Sequence, residues 1–185
     1  MKTEVEKRKP SGPLDYIALA ITTFGVGYIP GAPGTYGSLV AVGIYLGIDG
    51  RIVSQREPDF LCFLCGPNPH LTFALFSVLL GAFIMLGIWA SGRAEAIFGS
   101  GDPPQAVVDE VMGQLVAFTF VPFGLGWPWI LAGFLLFRFF DIAKLYPANR
   151  LQNIPGGLGV CADDIVAGAY AGVCLAVGYA VYLSM

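Results

Sequence analysis

Charge is scarce in this 185-residue chain: Asp, Glu, Lys and Arg make up 12% of it, about half the share in an ordinary globular domain. With a net charge of −3 and no basic stripe, nothing points to nucleic acid, and no nucleic-acid partner is expected. Histidine occurs once, at His70, too few for a lipid phosphatase built on a histidine nucleophile. No cysteine begins a C-x5-R segment and no D-x-D segment occurs, which removes the cysteine-phosphatase loop and the usual aspartyl-phosphate nucleophile. No internal repeat is visible. The four cysteines form no disulfide framework. Cys161 and Cys174 fall near or within the last apolar run, while Cys62 and Cys65 make a C-x-x-C near His70. That cluster falls short of four well-placed zinc ligands and reads as loop filler.

What the chain has instead is apolar length. Hydrophobic residues reach 56% and the mean hydropathy is +0.70. Charge-free runs extend from Tyr16 to Ile48, Leu71 to Gly92, Val111 to Phe137 and Ile165 to Met185. Crossing a hydrocarbon core takes about 20 apolar residues. The expected fold is therefore an all-α, polytopic integral membrane bundle of about four to five membrane helices. Residues 1–13, with Lys2, Lys7, Arg8 and Lys9, read as a polar cytoplasmic arm rather than a signal peptide, because Gly25, Gly27 and Pro30 break the apolar run behind them. Residues 14–185 form a single helical domain.

Within that domain Leu14–Phe24 is short and reads as an interfacial or half-inserted helix. Ser38–Ile48 follows a glycine- and proline-rich loop and carries Gly43 and Gly47 at a spacing that suits close helix packing. Asp49–His70 is a polar loop. Leu71–Ala90 is the cleanest span. After the polar stretch Ser91–Gln105, a helical hairpin is expected, with arms at Pro104–Val121 and Trp127–Leu145 and a turn at Pro122, Gly124, Gly126 and Pro128. A last helix covers Asp163–Leu183.

The hairpin fixes a geometry. Counted outward from Leu125, Glu110 is fifteen residues back and Asp141 sixteen on, so both lie roughly 20–25 Å from the turn at the same depth. The next loop begins on that side, and Asp163 and Asp164 are expected to open the last helix there. Asp109, Glu110, Asp141, Asp163 and Asp164 thus gather at one membrane surface, with Arg138 and Lys144 on the face that carries Asp141. Counting segments from an inside amino terminus puts this surface on the cytoplasmic side, although Arg51 and Arg56 then fall outside against the usual bias. Acids are costly near lipid and mark sites.

Carboxylates without thiolate or imidazole partners suit a hard cation, and Mg²⁺ is the usual choice when phosphate is the other ligand. Arg138 and Lys144 suit the phosphate's remaining charge. The segment Gly27–Ser38 is a second candidate element: Gly34, Thr35 and Ser38 offer backbone N–H groups and hydroxyls to an anion, or form a tight turn with Ser38 as a helix cap. Taken alone, Asp163 reads as a cap as well. A cation transporter or channel using the acids, and a non-catalytic membrane scaffold, are the other function classes. A transporter predicts acids at midspan, whereas these fall at segment ends.

At these residues the chain resembles the phosphatidylglycerophosphatase A family. The matching blocks are Gly27–Leu39 (GYIPGAPGTYGSL), Val108–Gly113 (VDEVMG), Phe137–Lys144 (FRFFDIAK) and Gly156–Gly168 (GGLGVCADDIVAG). The resemblance implies a Mg²⁺-dependent bacterial inner-membrane enzyme that removes the terminal phosphate of phosphatidylglycerophosphate. Metal ligands would then be Glu110, Asp141, Asp163 and Asp164, with Asp109 completing the catalytic set. Arg138, Lys144, Gly34, Thr35 and Ser38 would bind phosphate. One departure stands out: the family's Lys-Pro-x-Pro is Lys144-Leu145-Tyr146-Pro147 here, which removes no candidate ligand.

Overall fold

Pro13 opens the first helix, α1 (Pro13–Thr23), where its missing N–H has no partner to lose. The structure is a computed structural model that describes residues 7–48, 69–101 and 103–185. Lys2, Arg51, Arg56 and the Cys62–Cys65 pair lie outside the described residues, and so does most of the expected polar loop. Helix α1 ends at Phe24, whose φ of 47° is left-handed, and a 3-10 turn follows at Val26–Tyr28. Helix α2 is Pro33–Ile48, α3 Pro69–Phe98, α4 Val108–Phe118, α5 Trp127–Ala143, α6 Ala148–Leu151 and α7 Gly157–Leu183. Every regular element among the described residues is helical.

Several boundaries differ from the sequence expectation. Helix α2 begins at Pro33 rather than Ser38, so Gly34, Thr35 and Ser38 are helical and not loop. Helix α3 runs on to Phe98 through the polar stretch. Helix α4 starts at Val108 and not Pro104, because the backbone before it is already bonded: Ala106 N–H donates to Pro103 O and Val107 N–H to Thr22 O. At 11 residues it is about 16 Å long, half a hydrocarbon core. The last helix begins at Gly157 rather than Asp163, so both aspartates sit in its second turn and neither caps it. Gly156 makes that early start possible with a φ of 82°, a value L side chains rarely adopt.

The hairpin itself is present. A Cβ on Gly113 would lie 2.5 Å from the Phe137 ring, and one on Gly133 would lie 2.7 Å from Phe118. These antiparallel contacts are centred on Leu125. Tyr45 of α2 stacks on Phe118, centroids 4.4 Å apart, and on Phe123 at 5.5 Å, closing the core over the hairpin.

Helices α4 and α7 run parallel and touch backbone to backbone. A Cβ on Gly113 would stand 2.5 Å from Asp164 O, one on Gly168 would overlap Gly113 O, and one on Gly172 would meet the Phe120 ring and Ala117 O. The contacts pair 113 with 168 and 117 with 172, a constant register. By contrast, Gly43 and Gly47, expected to pack a partner helix, have open space where a Cβ would go.

Helices α3 and α7 are long and apolar enough to cross a membrane, and in their most apolar stretches only 22% and 28% of residues are buried. A soluble core helix would be buried on most sides. Val78, Leu79 and Met85 on α3 and Val177, Val181 and Tyr182 on α7 are exposed instead. The protein is membrane-associated.

An ion cluster around the buried Asp15 ties α1 to α3. Arg8 donates to both oxygens of Asp15 at 2.5 and 2.8 Å, Arg93 lies within 2.9 Å, and the Ser11 N–H donates at 3.0 Å. Arg8 above all, then the Ser11 N–H, hold the Asp15 carboxyl well below the usual carboxylate range despite its burial. A depressed folded pKa gives a contribution that is complete above the unfolded value, about 4, and lost as pH falls through the folded value. Asp15→Asn should therefore lower Tm at pH 7, with a gap that narrows below about pH 4; a gap unchanged down to the acid limit would show another origin.

Gly168→Ala should destabilise by about 1–3 kcal/mol through overpacking, read as a lower melting temperature in detergent. Gly43→Ala, with open space at its Cβ, should be neutral or stabilise by up to about 1 kcal/mol.

Candidate metal and phosphate site

The α4–α7 register places the acids. Asp109 and Glu110 lie in the first turn of α4, and Asp109 is one turn before Gly113. Asp164 is one turn before Gly168 on α7. Because the two glycines let the backbones meet, the turns in front of them meet as well. One carboxylate oxygen each from Asp109, Glu110 and Asp164 lies within 4.8 Å of the others. Asp109 and Asp164 are buried, and Glu110 is partly buried.

Helix α5 brings the cations. Arg138 pairs with Asp141 at 2.7 Å, one turn on. Lys144 is just past the helix end, held left-handed at φ 44° while its N–H caps Phe140 O at 2.9 Å. A lysine is uncommon in that conformation, and here it turns the ammonium back onto Asp163. The first turn of α2 closes the far side: a Cβ on Gly34 would overlap Glu110 Oε1 and lie 3.0 Å from Arg138.

All five sequence-predicted acids and Lys144 line one cavity of about 530 Å³. Arg138, Gly34, Thr35 and Ser38 are outside its wall. Ser38 is fully buried and donates to Gly34 O at 3.0 Å, one turn back in its own helix, so it is neither the expected cap nor turned to the cavity. The arrangement divides the acids differently from the sequence reading. Asp141 and Asp163 each face a cation, while Asp109, outside the expected metal set, joins Glu110 and Asp164. The wall also holds residues with no site signal in the sequence, among them Glu95, Gln152 and Asn153. Glu95 sits in a stretch that read as a polar linker, and Asn153 in a loop read only for its prolines and glycines.

Three carboxylates this close repel one another by about 3–4 kcal/mol per ionised pair at the effective dielectric of protein surfaces. Glu110, outside both long apolar helices, is pushed well above the ordinary glutamate range, by burial first and then by Asp109. Its Oε2 is buried without a hydrogen-bond partner. A divalent cation answers both features, since it neutralises the group and takes up the idle oxygen. The donors are all carboxylate oxygen, which suits a hard cation and not zinc or copper. The group can hold a metal ion.

Residues 19–179 match the family model of phosphatidylglycerophosphatase A. The chain belongs to this family. A relative from Haemophilus influenzae named phosphatidylglycerophosphatase A is 35% identical over 170 residues, 91% of this chain and 92% of the relative. The Escherichia coli protein of the same name is 30% identical over 173 residues, covering 92% and 87%. A Bacteroides thetaiotaomicron protein named putative phosphatidylinositol-3-phosphatase is 37% identical over 157 residues, 84% of this chain and 89% of its own length. No solved structure matches. All four blocks that carry the resemblance lie inside the matched residues, and three of them supply the five expected acids and Lys144 of the cavity.

Millimolar Mg²⁺ should raise the melting temperature of the purified protein, and Asp164→Asn or Glu110→Gln should abolish that rise. Unchanged Mg²⁺ shifts in both variants would separate the three carboxylates from any metal.

Proposed function

We propose that the protein hydrolyses phosphatidylglycerophosphate to phosphatidylglycerol and inorganic phosphate, with Mg²⁺ held by Asp109, Glu110 and Asp164. The observation that carries this reading is the meeting of these three carboxylates in one cavity of a phosphatidylglycerophosphatase A family chain. The chemistry a bound Mg²⁺ supplies is neutralisation of a phosphoryl oxygen and activation of water. Lys144, within reach of Asp163, holds the phosphate as a point charge, and Asp163 keeps its ammonium directed into the cavity. Arg138 presents its planar fork from behind Asp141, with which it pairs at 2.7 Å. Gly34 supports the pair from α2, since any side chain there would displace Glu110 and Arg138.

The reading extends to place. We assign the protein to the bacterial inner membrane as a multi-pass bundle, its cavity on the cytoplasmic face. The basic arm Lys7–Lys9 and the cations Arg138, Lys144 and Arg150 on the cavity side support that orientation. A headgroup phosphate lies at that depth while acyl chains stay in the bilayer beside α3 and α7. Asp109, Glu110, Asp163 and Asp164 lie in first and second helical turns and Asp141 in a last turn, all around one cavity, which favours a surface reaction over an ion path through midspan.

The Bacteroides relative's name favours a second substrate, phosphatidylinositol 3-phosphate. Both headgroups present a phosphomonoester whose neighbouring carbon bears a free hydroxyl.

Purified protein should release phosphate from phosphatidylglycerophosphate with Mg²⁺ and lose that activity in EDTA. Asp164→Asn and Asp141→Asn should each lower turnover at least about a hundredfold with membrane expression intact. Near-normal turnover in both would overturn the assignment.

A further inference from the structure

The cavity has a second wall that the phosphate chemistry does not use. It is formed by Glu95 near the end of α3 and by the loop between α6 and α7, including Asn153. About 530 Å³ lies in the range of sites that take a whole small ligand, roughly 300–1,000 Å³, so a headgroup has room beside the phosphate.

This wall is built to hold its shape. Gly157 lets the start of α7 press on the α3 backbone, where a Cβ would overlap Ile88 O and stand 2.5 Å from Gly92 N. Cys161 Sγ and Ser91 Oγ meet at 3.6 Å one turn further along α7. Gly159 lets Ile154 O approach so closely that no Cβ would fit. Helix α3 is stopped just past Glu95, whose carbonyl accepts the Gly99 N–H at 2.8 Å. In the loop, the Gln152 amide is spent on Asn149 O at 3.0 Å, and the Asn153 and Ile154 N–H groups bond back to Arg150 and Leu151. The Asn153 side chain is exposed at the cavity.

Glu95 is set apart from the other acids of the cavity. It belongs to neither cation pair and not to the three-carboxylate group. A carboxylate on this side accepts a hydrogen bond from a neutral hydroxyl, and an amide beside it both donates and accepts.

We propose that Glu95 and Asn153 form a subsite for the hydroxyl next to the phosphomonoester, which makes the protein selective for polyol phospholipids over phosphatidic acid. The proposal rests on the phosphatase reading above and deepens it. Phosphatidic acid has the same phosphomonoester but an acylated neighbouring carbon, so it has no hydroxyl to offer.

The experiment compares kcat/KM for phosphatidylglycerophosphate and phosphatidic acid in mixed micelles with Mg²⁺. The wild-type preference should fall about tenfold to a hundredfold in Glu95→Ala and in Asn153→Ala. Glu95→Gln, which keeps an acceptor, should restore part of it. Equal losses on both lipids, or a preference unchanged in both variants, would overturn the subsite. Calorimetry with glycerol 3-phosphate and n-propyl phosphate gives a second measurement. The wild type should bind the hydroxylated ester more tightly and both alanine variants should bind the two alike; a wild type indifferent to the hydroxyl would overturn the subsite. If the wild type hydrolyses neither lipid, the phosphatase reading fails, and the calorimetric preference still decides the subsite.

Discussion

The contact on which the site depends is the glycine crossing of α4 and α7. Two helices approach to backbone distance only where neither has a side chain in the way, and Gly113 and Gly168 supply that absence on both sides. The helices run parallel, so the four-residue step that separates Asp109 from Gly113 also separates Asp164 from Gly168. The crossing therefore acts as a ruler: once the glycines are in register, the carboxylates one turn earlier have nowhere else to be. A membrane protein lacks the hydrophobic drive that holds soluble helices together, and small residues with close van der Waals contact do that work instead. Here the same contact that joins the helices also composes the acidic group.

The acids are sorted by what faces them. Helix α5 returns antiparallel along α4 and delivers Arg138 and Lys144 to the same end of the bundle. Those cations occupy Asp141 and Asp163, and the three remaining carboxylates of the expected five stay grouped. Had the cations been spread evenly among all five, the cluster would be a neutral network with little call for a metal. The left-handed backbone at Lys144 is part of that sorting, because a helical continuation would carry the ammonium away from Asp163.

Much of this was legible in the sequence, and the reasons differ by element. The hairpin depth argument depends only on helical rise and on a proline- and glycine-rich turn, so it placed Glu110 and Asp141 level without any knowledge of packing. The ends of helices were harder to read. Pro103 and Pro104 look like a helix start, yet the chain bonds Val107 to Thr22 of α1 first and begins α4 later. Gly157 and Gly159 look like loop, yet they are helical because α3 and Ile154 press on them. Both errors come from tertiary contacts that outweigh local propensity. Glu95 and Asp15 carry no site signal in the sequence for a related reason: each lies at the edge of a polar stretch, and only the folded chain shows one at the cavity and the other clamped by Arg8 and Arg93. The opposite holds at Gly43 and Gly47, where a packing motif faces no neighbour among the described residues.

The brevity of α4 explains how so much negative charge is tolerated beside two long apolar helices. An 11-residue helix cannot reach across a bilayer, and nine of its residues are buried in protein. The chain itself bonds the residues that flank it, with Val107 N–H on Thr22 O and Thr119 Oγ on Val116 O at 2.7 Å. The acids at its start consequently meet protein and the cavity rather than hydrocarbon. Because α4 and α7 are parallel, both also direct their amino-terminal turns to that cavity. Each helix start carries a partial positive charge, worth about 0.3–1 kcal/mol to a nearby anion. That is small beside the repulsion among three carboxylates, so the helix ends ease the cluster without neutralising it. A proton on Glu110 or a cation that enters with solvent can supply the balance, which is the physical content of a group able to hold a metal ion.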